Sequence, residues 1–309
     1  MIDFSGQVAV VTGAGRGLGR LYARELARRG AAVVVNDVGG SMRGDGTDPS
    51  VADDVVAEIT HAGGAATVSH DSVDSPEGGQ AIIDTALAAF GRLDAVVSNA
   101  GIFDTQPFDE LSPTDWRRML RVHLDGGFYL SQPAFRVMKA QGYGRFVFVA
   151  SSAGMFGQPN SAHYAAAKAG IIGLTNVIAI EGAEHGILAN AVLPFGLSRM
   201  VTEILDDEKF VAESEFLQSI DPELVVPLSV YLASRACDVT HHNFSAGAGR
   251  YARVFVGLAD GWVAERGTAP TAEDIADRFE EVSAPEPFMI PTSIFDEVAG
   301  LCARLGISV

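Results

Sequence analysis

Short apolar stretches recur along most of the chain, and a longer segment of mixed apolar and polar residues follows each one. The first two stretches, residues 7–12 and 32–37, are mostly apolar. Such a run, bounded by glycine and polar residues, predicts a strand that is buried on both faces. The same pattern predicts five more strands, at residues 65–70, 93–98, 145–151, 187–193 and 243–246.

The segments between these strands predict helices. The first helix runs from a glycine-rich loop to about Gly30 and the second ends near His61, and four more are predicted at residues 77–90, 113–140, 161–184 and 222–234. Alternating strands and helices specify an α/β fold, here a doubly wound parallel sheet with helices on both faces. In such sheets ligands bind beyond the carboxyl ends of the strands.

The alternation stops near residue 250, which divides the chain into two predicted parts. Residues 1–250 form the α/β domain, and residues 251–309 form an extension that we expect to pack on it. The extension has one predicted helix near residues 271–282 and another near 293–305, separated by a proline-rich stretch.

Composition narrows the classes of partner. The formal net charge is −17, which argues against a nucleic acid or an anionic membrane surface as the partner. The two cysteines, Cys237 and Cys302, form no Cys-x-x-Cys pair, so a reduced, cytoplasmic compartment is expected. The amino terminus does not resemble a signal peptide, and no apolar stretch is expected to span a bilayer. His241-His242 and the acidic residues between 45 and 54 lack metal-ligand spacing, so no metal site is predicted.

The glycine-rich loop, residues 12–19, follows the first predicted strand and opens the first helix. Its glycines permit a tight turn and the close approach of a pyrophosphate to the helix amino terminus, which favours anions. The predicted cofactor-binding residues of this loop are Gly13, Arg16, Gly17, Leu18 and Gly19.

Asp37 ends the second predicted strand, where a carboxylate can accept hydrogen bonds from the adenosine ribose. It would also repel a 2′-phosphate, which favours NAD as the cofactor.

Three hydroxyl and amine side chains make up the candidate catalytic set. Tyr164 and Lys168 are four residues apart on a predicted helix, so they share a face, and Ser151 ends the strand before it. A phenol that takes a proton, an ammonium that lowers its pKa and a hydroxyl that polarises a carbonyl suit hydride transfer between a nicotinamide and a secondary alcohol.

The chain resembles the short-chain dehydrogenase/reductase family over roughly residues 5 to 250, through four motifs in this order: Thr-Gly-x-x-x-Gly-x-Gly at residues 12–19, Asn99-Ala100-Gly101, Ser151 and Tyr164-x-x-x-Lys168. The resemblance implies a Rossmann-like fold, with residues 195–220 as a lid over the substrate and a dimer or tetramer formed through helices 113–140 and 161–184. It also implies that Arg16 could favour NADP, in opposition to Asp37, which favours NAD. The further cofactor-binding residues that it implies are Asp71, Ser72, Asn99, Ala100, Gly101, Pro194 and Ser198, besides Tyr164 and Lys168.

His123 stands where the family usually has an asparagine that organises a water relay to the lysine. Histidine could replace it as a proton relay, because it titrates near neutral pH, or it could be a packing residue. The segments around residues 35–40, 121–124 and 198–200 resemble the dehydrogenase unit of type 2 multifunctional enzymes and its free-standing bacterial relatives. That branch oxidises (3R)-3-hydroxyacyl-CoA and often 17β-hydroxysteroids, using NAD.

The predicted function is therefore an NAD-dependent dehydrogenase that acts on a bulky apolar secondary alcohol or its ketone. An apolar pocket is predicted from Phe103, Met155, Phe156, Phe195 and Met200. Related proteins of that branch have smaller or polar residues where this chain has Pro194-Phe195-Gly196-Leu197. Two alternatives stay open: an NADPH-dependent carbonyl reductase, and a nucleotide-binding regulator without turnover.

Overall fold

The computed structural model describes residues 1–197 and 212–307. The chain divides into two compact units, Met1–Arg253 and Val254–Val309. The first unit is built on a sheet of eight strands in the order β3-β2-β1-β4-β5-β6-β7-β8. In chain order these strands are β1 (Val8–Thr12), β2 (Ala32–Asn36), β3 (Ala65–Ser69), β4 (Ala95–Ser98), β5 (Gly144–Val149), β6 (Ile187–Pro194), β7 (His242–Gly247) and β8 (Arg250–Val254).

Strands β1 to β7 pair in parallel, which confirms the predicted α/β fold with a doubly wound sheet. The strand order reverses between β1 and β4, and ligands of open α/β sheets bind at such a reversal. The central strands are mostly apolar because both faces of the sheet are covered. β1 and β5, for example, are buried at every position.

Helices follow most of the strands in the first unit. They are α1 (Gly17–Arg28), α2 (Ser50–His61), α3 (Pro76–Phe90), α4 (Pro113–Leu120), α5 (Gly126–Gln141), α6 (Ser152–Phe156), α7 (Ala162–Gly182), α8 (Glu215–Ser219) and α9 (Val226–Ala233). Helix α1 packs against α9, and Tyr22 and Leu26 of α1 are completely buried there.

The helix predicted over residues 113–140 has three parts. Between α4 and α5 lies one turn of π-helix, Arg121–Asp125. π-Turns inside α-helices are frequent at functional sites. This turn contains the buried His123, so the interruption bears on the candidate site.

Helix α7 and the 3₁₀ turn after it, Ala162–His185, have the length and mean hydropathy, 1.2, of a membrane-spanning helix. Lys168, Glu181 and Glu184 interrupt this segment, and the expectation that no apolar stretch spans a bilayer stays a prediction. The helix packs against β6 and buries Lys168 and Ile171, and a core helix of this kind meets the same criteria of length and composition.

Up to residue 307, where the described part of the second unit ends, it contains a short antiparallel pair and three helices. Strand β9 (Leu258–Ala259) pairs with β10 (Phe288–Met289), and the Phe255 ring stacks on Phe288 with the ring centroids 6.1 Å apart. The helices are α10 (Ala272–Asp277), α11 (Phe279–Ser283) and α12 (Ile294–Leu305). The single helix predicted near 271–282 is thus divided, with Arg278 between its two parts.

Candidate active site

The glycine-rich loop connects β1 to α1 and leaves open space where an anion would lie. Gly13 has a φ of +62°, and a Cβ there would lie 2.8 Å from the Cα of Ala100. A Cβ on Gly19 would collide with the carbonyl oxygen of Gly13, so both positions require glycine. Gly17 has a φ of +51° and faces open space. Helix α1 begins without a side-chain cap or an acidic residue in its first turn, so its first N–H groups suit a phosphate.

Asp37 lies at the carboxyl end of β2, beside this loop. One oxygen of its carboxylate accepts the N–H of Gly15 at 2.8 Å, and the other accepts the N–H of Gly39 at 2.7 Å. The Arg16 guanidinium donates to the carbonyl of Gly40 at 3.3 Å. Asp37 and Arg16 both bear on the choice between NAD and NADP, and both lie at the glycine-rich loop. Asp37 is the more firmly held of the two, because its carboxylate accepts two backbone N–H groups.

Thr12 links the ends of β1 and β4, a role that sequence reasoning missed. Its hydroxyl oxygen accepts the N–H groups of Asn99 at 3.1 Å and Ala100 at 3.0 Å. The Asn99 side-chain amide donates back to the carbonyls of Thr12 and Gly13, at 3.0 and 3.1 Å. A threonine directly before the first glycine was the available signal. These bonds hold the loop after β4 against the glycine-rich loop.

Asp71 and Ser72 lie in the loop after β3, next to β2 in the sheet. The Asp71 carboxylate accepts the Ser69 hydroxyl at 3.0 Å, and the Asp71 carbonyl accepts the Asn36 side-chain amide at 2.8 Å. The Ser72 hydroxyl accepts the N–H of Asp74 at 3.4 Å. Their role in cofactor binding stays a prediction, and these bonds fix the backbone of the loop.

Ser151, Tyr164 and Lys168 come together beyond the carboxyl end of β5. The Ser151 hydroxyl caps α6 by accepting the N–H of Ala153 at 3.1 Å, and it interacts with the Tyr164 phenol, whose pKa it lowers. The Lys168 Nζ lies 5.7 Å from the centre of the Tyr164 ring and donates to the Val149 carbonyl at 2.6 Å. Helix α6 packs directly on α7, which brings the serine to the tyrosine.

Burial dominates the acidity of this set. It raises the pKa of the Tyr164 phenol above 10.0, and the hydrogen bond from Ser151 offsets part of the rise. Burial also lowers the pKa of Lys168 from 10.5 to about 7. The pKa of the phenol thus shifts upward, opposite to the lowering expected from Lys168. A lysine that titrates near 7 can gain or lose a proton at neutral pH.

Lys168→Met should change the pH dependence of stability. Wild-type Lys168 titrates near 7 when folded and near 10.5 when unfolded, so between these values the unfolded chain binds the extra proton. The free energy of unfolding of the wild type should therefore rise with pH in this window, by up to about 1.4 kcal/mol per pH unit from this group. Below pH 7 the folded wild type buries a charged ammonium at its full cost in stability. The free energy of unfolding of Lys168→Met, relative to that of the wild type, should therefore be highest there.

Urea denaturation at pH 6.5 and pH 9 measures this difference. Lys139→Met is the matched control, because Lys139 is exposed on α5. A stability difference between Lys168→Met and the wild type that does not change with pH would contradict the assignment.

His123 is held against the backbone of Ile102. Its Nε2 lies 2.7 Å from the Ile102 carbonyl oxygen and 3.1 Å from the Ile102 nitrogen, and the shorter contact fits Nε2–H as the donor. Its Nδ1 is buried and has no partner among the described residues. Burial, followed by the Lys168 charge, lowers the pKa of His123 well below 6.5. The ring is therefore neutral at pH 7, whereas sequence reasoning expected titration near neutral pH.

Gly101 makes room for this imidazole, because a Cβ there would collide with the His123 ring. The His123 ring also meets the Tyr164 ring edge-on, with the centroids 5.3 Å apart. The predicted relay through His123 stays a prediction, and it would have to use the Nδ1 of the neutral ring.

Phe103 contacts the candidate catalytic tyrosine directly. It is buried, and its ring meets Tyr164 edge-on at 4.8 Å between centroids. Met155 and Phe156 lie on α6 immediately after Ser151, the first half-buried and the second exposed. Phe195 follows β6 and is also exposed. Pro194 ends β6, and the remaining predicted residues, Ser198 and Met200, lie outside the described residues, as does most of the predicted lid.

Residues 7–209 match the sequence profile of a family described as short chain dehydrogenase. The chain belongs to the short-chain dehydrogenase family. It is 39% identical over 301 residues to "Peroxisomal multifunctional enzyme type 2" of Mus musculus, covering 97% of this chain and 40% of that protein. It is 42% identical over 277 residues to a putative short-chain type dehydrogenase/reductase of Mycobacterium tuberculosis, covering 90% of this chain and 94% of that protein.

Solved structures of the family have the same fold. Full-length peroxisomal multifunctional enzyme type 2 from Drosophila melanogaster aligns with a TM-score of 0.81 and 31% identity. The alignment covers 99% of this chain and 50% of that one, so this short-chain dehydrogenase spans about half of the insect enzyme. Carveol dehydrogenase from Mycobacterium avium in complex with NAD aligns with a TM-score of 0.73 and 25% identity, covering 81% of this chain and 99% of that one.

Proposed function

We propose that this short-chain dehydrogenase interconverts a bulky apolar secondary alcohol and its ketone with NAD(H). The observation that carries the proposal is the cluster of Ser151, Tyr164 and Lys168 at the carboxyl end of β5, next to the strand reversal. It combines a hydrogen-bond donor for a carbonyl oxygen with an acid/base hydroxyl and an amine that titrates near neutral pH.

NAD is the proposed cofactor, and the residues present fit a dinucleotide. The open space at Gly17 and the uncapped start of α1 suit its pyrophosphate, and Asp37 suits the adenosine ribose. The related carveol dehydrogenase, crystallised with NAD, supports the same choice. When bound, the nicotinamide accepts hydride from the alcohol or returns it to the ketone.

The residues of this chain orient the substrate and move one proton. The Ser151 hydroxyl donates a hydrogen bond to the substrate oxygen, and Tyr164 Oη takes the proton from that oxygen during oxidation. Tyr164 must be a phenolate to accept this proton, and Lys168 Nζ stabilises that phenolate, because an ammonium 5.7 Å from the ring favours the charged form. During reduction the same groups return the proton to the substrate oxygen.

The proposed substrates are (3R)-3-hydroxyacyl-CoA thioesters or 17β-hydroxysteroids. Phe103 provides an apolar surface against Tyr164, and exposed aromatic side chains follow β5 and β6 in the chain, at Phe156 and Phe195, with another on α8 at Phe216. The similarity to the multifunctional enzymes type 2 extends over nearly the whole chain. A hydrocarbon substrate gains roughly 25 cal/mol for each Å² of apolar area that it buries.

We expect such alcohols to be oxidised with at least about tenfold higher kcat/KM than sugar alcohols. A buried sugar hydroxyl without a partner costs about 1–3 kcal/mol, which corresponds to roughly five- to 150-fold. NADH formation from 17β-hydroxysteroids, 3-hydroxyacyl-CoAs and sugar alcohols, assayed side by side, measures the preference. Higher kcat/KM for the sugar alcohols would overturn the apolar pocket, and activity on steroids alone would reject the thioesters.

An NADPH-dependent carbonyl reductase is the second candidate, and Arg16 in the glycine-rich loop is the observation that favours it. The Arg16 guanidinium is exposed and bonds only one backbone carbonyl among the contacts described here, so it is available to a phosphate. Asp37 is the counterargument, because its ionised carboxylate lies at the same loop.

We also propose that the protein is a homodimer or homotetramer. Phe128 on α5 and Val177 and Ile180 on α7 are apolar and 44% to 51% exposed, on the two helices expected to form the subunit interface.

A further inference from the structure

A cluster of hydrogen-bonded side chains around the buried Asp104 and His163 lies next to the candidate catalytic tyrosine. The Nε2 of His163 lies 2.5 Å from Oδ1 of Asp104, and both side chains are buried. The other oxygen of Asp104 accepts Arg118 of α4 at 2.8 Å, and Arg118 also pairs with Asp115 at 2.9 Å. Buried charges persist only when they are paired, so this cluster ties three parts of the chain together.

The cluster is connected to the site through neighbours in the chain. His163 immediately precedes Tyr164, and Asp104 immediately follows Phe103. Phe103 packs edge-on against Tyr164, while the next residue, Asp104, bonds to His163. The adjacent residues Phe103 and Asp104 therefore contact two adjacent residues at the start of α7.

The segment that carries Asp104 is itself anchored on two further sides. The Phe103 N–H donates to the carbonyl of Met42, in the loop after Asp37, at 2.8 Å. Ile102 is held by His123, as described above. The bond between Asp104 and His163 thus connects the first turn of α7 to an already fixed backbone.

We infer that Asp104 and His163 are positioning residues that hold the Tyr164 hydroxyl at Ser151. The inference rests on the proposed function, because it assigns the pair a purpose in that site. A misplacement of about 1 Å in a reacting group can cost about 10²-fold in rate. An imidazole bonded to a buried carboxylate restrains the backbone next to Tyr164 in a way that an apolar ring cannot.

The test compares two variants of His163 with a control elsewhere in the sheet. His163→Phe keeps a ring but removes the donor, and His163→Gln keeps a donor at a similar reach. Asp94→Asn is the control, because Asp94 is another fully buried carboxylate. It pairs with Arg92 and accepts the Val8 N–H at 2.8 Å, at the opposite end of the strands.

We expect His163→Phe to lower kcat by about 10- to 100-fold while the KM for NAD stays within about twofold. His163→Gln should recover kcat to within about threefold of the wild type. Asp94→Asn should lower Tm at least as much as His163→Phe and leave kcat unchanged. Wild-type kcat in His163→Phe, or an equal loss in Asp94→Asn at the same loss of Tm, would overturn the inference.

A measurement without turnover separates this inference from the proposed function. The ¹³Cζ resonance of Tyr164, assigned by its loss in Tyr164→Phe, reports the hydrogen bond of the phenol. It should shift in His163→Phe and stay in place in His163→Gln and Asp94→Asn. If no alcohol is oxidised by the wild type, the proposed function fails while this shift still supports the positioning role. An unmoved resonance in His163→Phe rejects the positioning role whatever the activity.

Discussion

Tyr164→Phe should lower kcat by about 10²–10⁴-fold, the usual contribution of general acid–base catalysis. The Tyr164 ring packs against Phe103 and His123, and phenylalanine preserves both contacts. The hydroxyl is lost, and with it the group proposed to take the substrate proton. NADH should bind nearly as well as before, because the glycine-rich loop and Asp37 are unchanged.

Tyr22→Phe is the matched control for this experiment. Tyr22 is completely buried on α1, within the core between α1 and α9, and has no part in the proposed chemistry. It should lose little turnover. NADH binding followed by fluorescence, together with kcat, separates the two effects. Turnover by Tyr164→Phe at the wild-type level would eliminate Tyr164 as the acid/base group, and the regulator without turnover would then gain support.

The sheet could be predicted from the sequence because its strands are buried on both faces. A strand that contacts helices on each side is mostly apolar, so its limits lie close to the limits of the apolar run. The prediction of a strand over residues 187–193 differs by one residue from β6 (Ile187–Pro194). The parallel order of the strands followed from the alternation with helices.

The π-turn at Arg121–Asp125 could not be predicted in the same way. Its residues have ordinary helical dihedral angles at both ends, and nothing in their polarity marks a change of hydrogen-bond pattern. The turn is associated with a tertiary contact, the bond of His123 to Ile102. Such a contact joins residues 21 positions apart, beyond the reach of local propensity.

The candidate site was predictable where its geometry is local. Tyr164 and Lys168 are four residues apart on α7, and a helix places such residues on one face whatever surrounds them. The bond between Asp104 and His163 spans 59 residues and depends on how α4 and α7 pack. Neither residue forms part of a recognisable motif, so sequence reasoning missed both.

The acidity of the site also depends on packing. From the sequence, the positive charge of Lys168 was expected to lower the pKa of the Tyr164 phenol, because a nearby positive charge favours the phenolate. Burial acts on both groups at once, and it raises the pKa of Tyr164 and lowers that of Lys168 to about 7. The degree of burial was not visible in the spacing of the two residues.

NAD should be preferred to NADP by about 10²-fold in kcat/KM, because of Asp37. Its carboxylate is fixed by two backbone N–H groups beside the loop where the adenosine ribose is proposed to bind. A doubly charged 2′-phosphate about 5 Å from an ionised carboxylate is repelled by roughly 3 kcal/mol at an intermediate dielectric constant. That energy corresponds to a factor of about 10².

Asp37→Ser should reduce this preference by at least about tenfold, because serine removes the charge and keeps a hydrogen-bonding oxygen. Arg16 would then be available to the phosphate without an opposing carboxylate, so the gain should appear mainly as a lower KM for NADP. Arg16→Gln is the reciprocal variant and should raise the KM for NADP while leaving that for NAD nearly unchanged. Steady-state kcat/KM for both cofactors, measured in the wild type and both variants, separates the two residues. A wild type that prefers NADP would show that Arg16 outweighs Asp37, and the carbonyl reductase would replace the dehydrogenase as the better proposal.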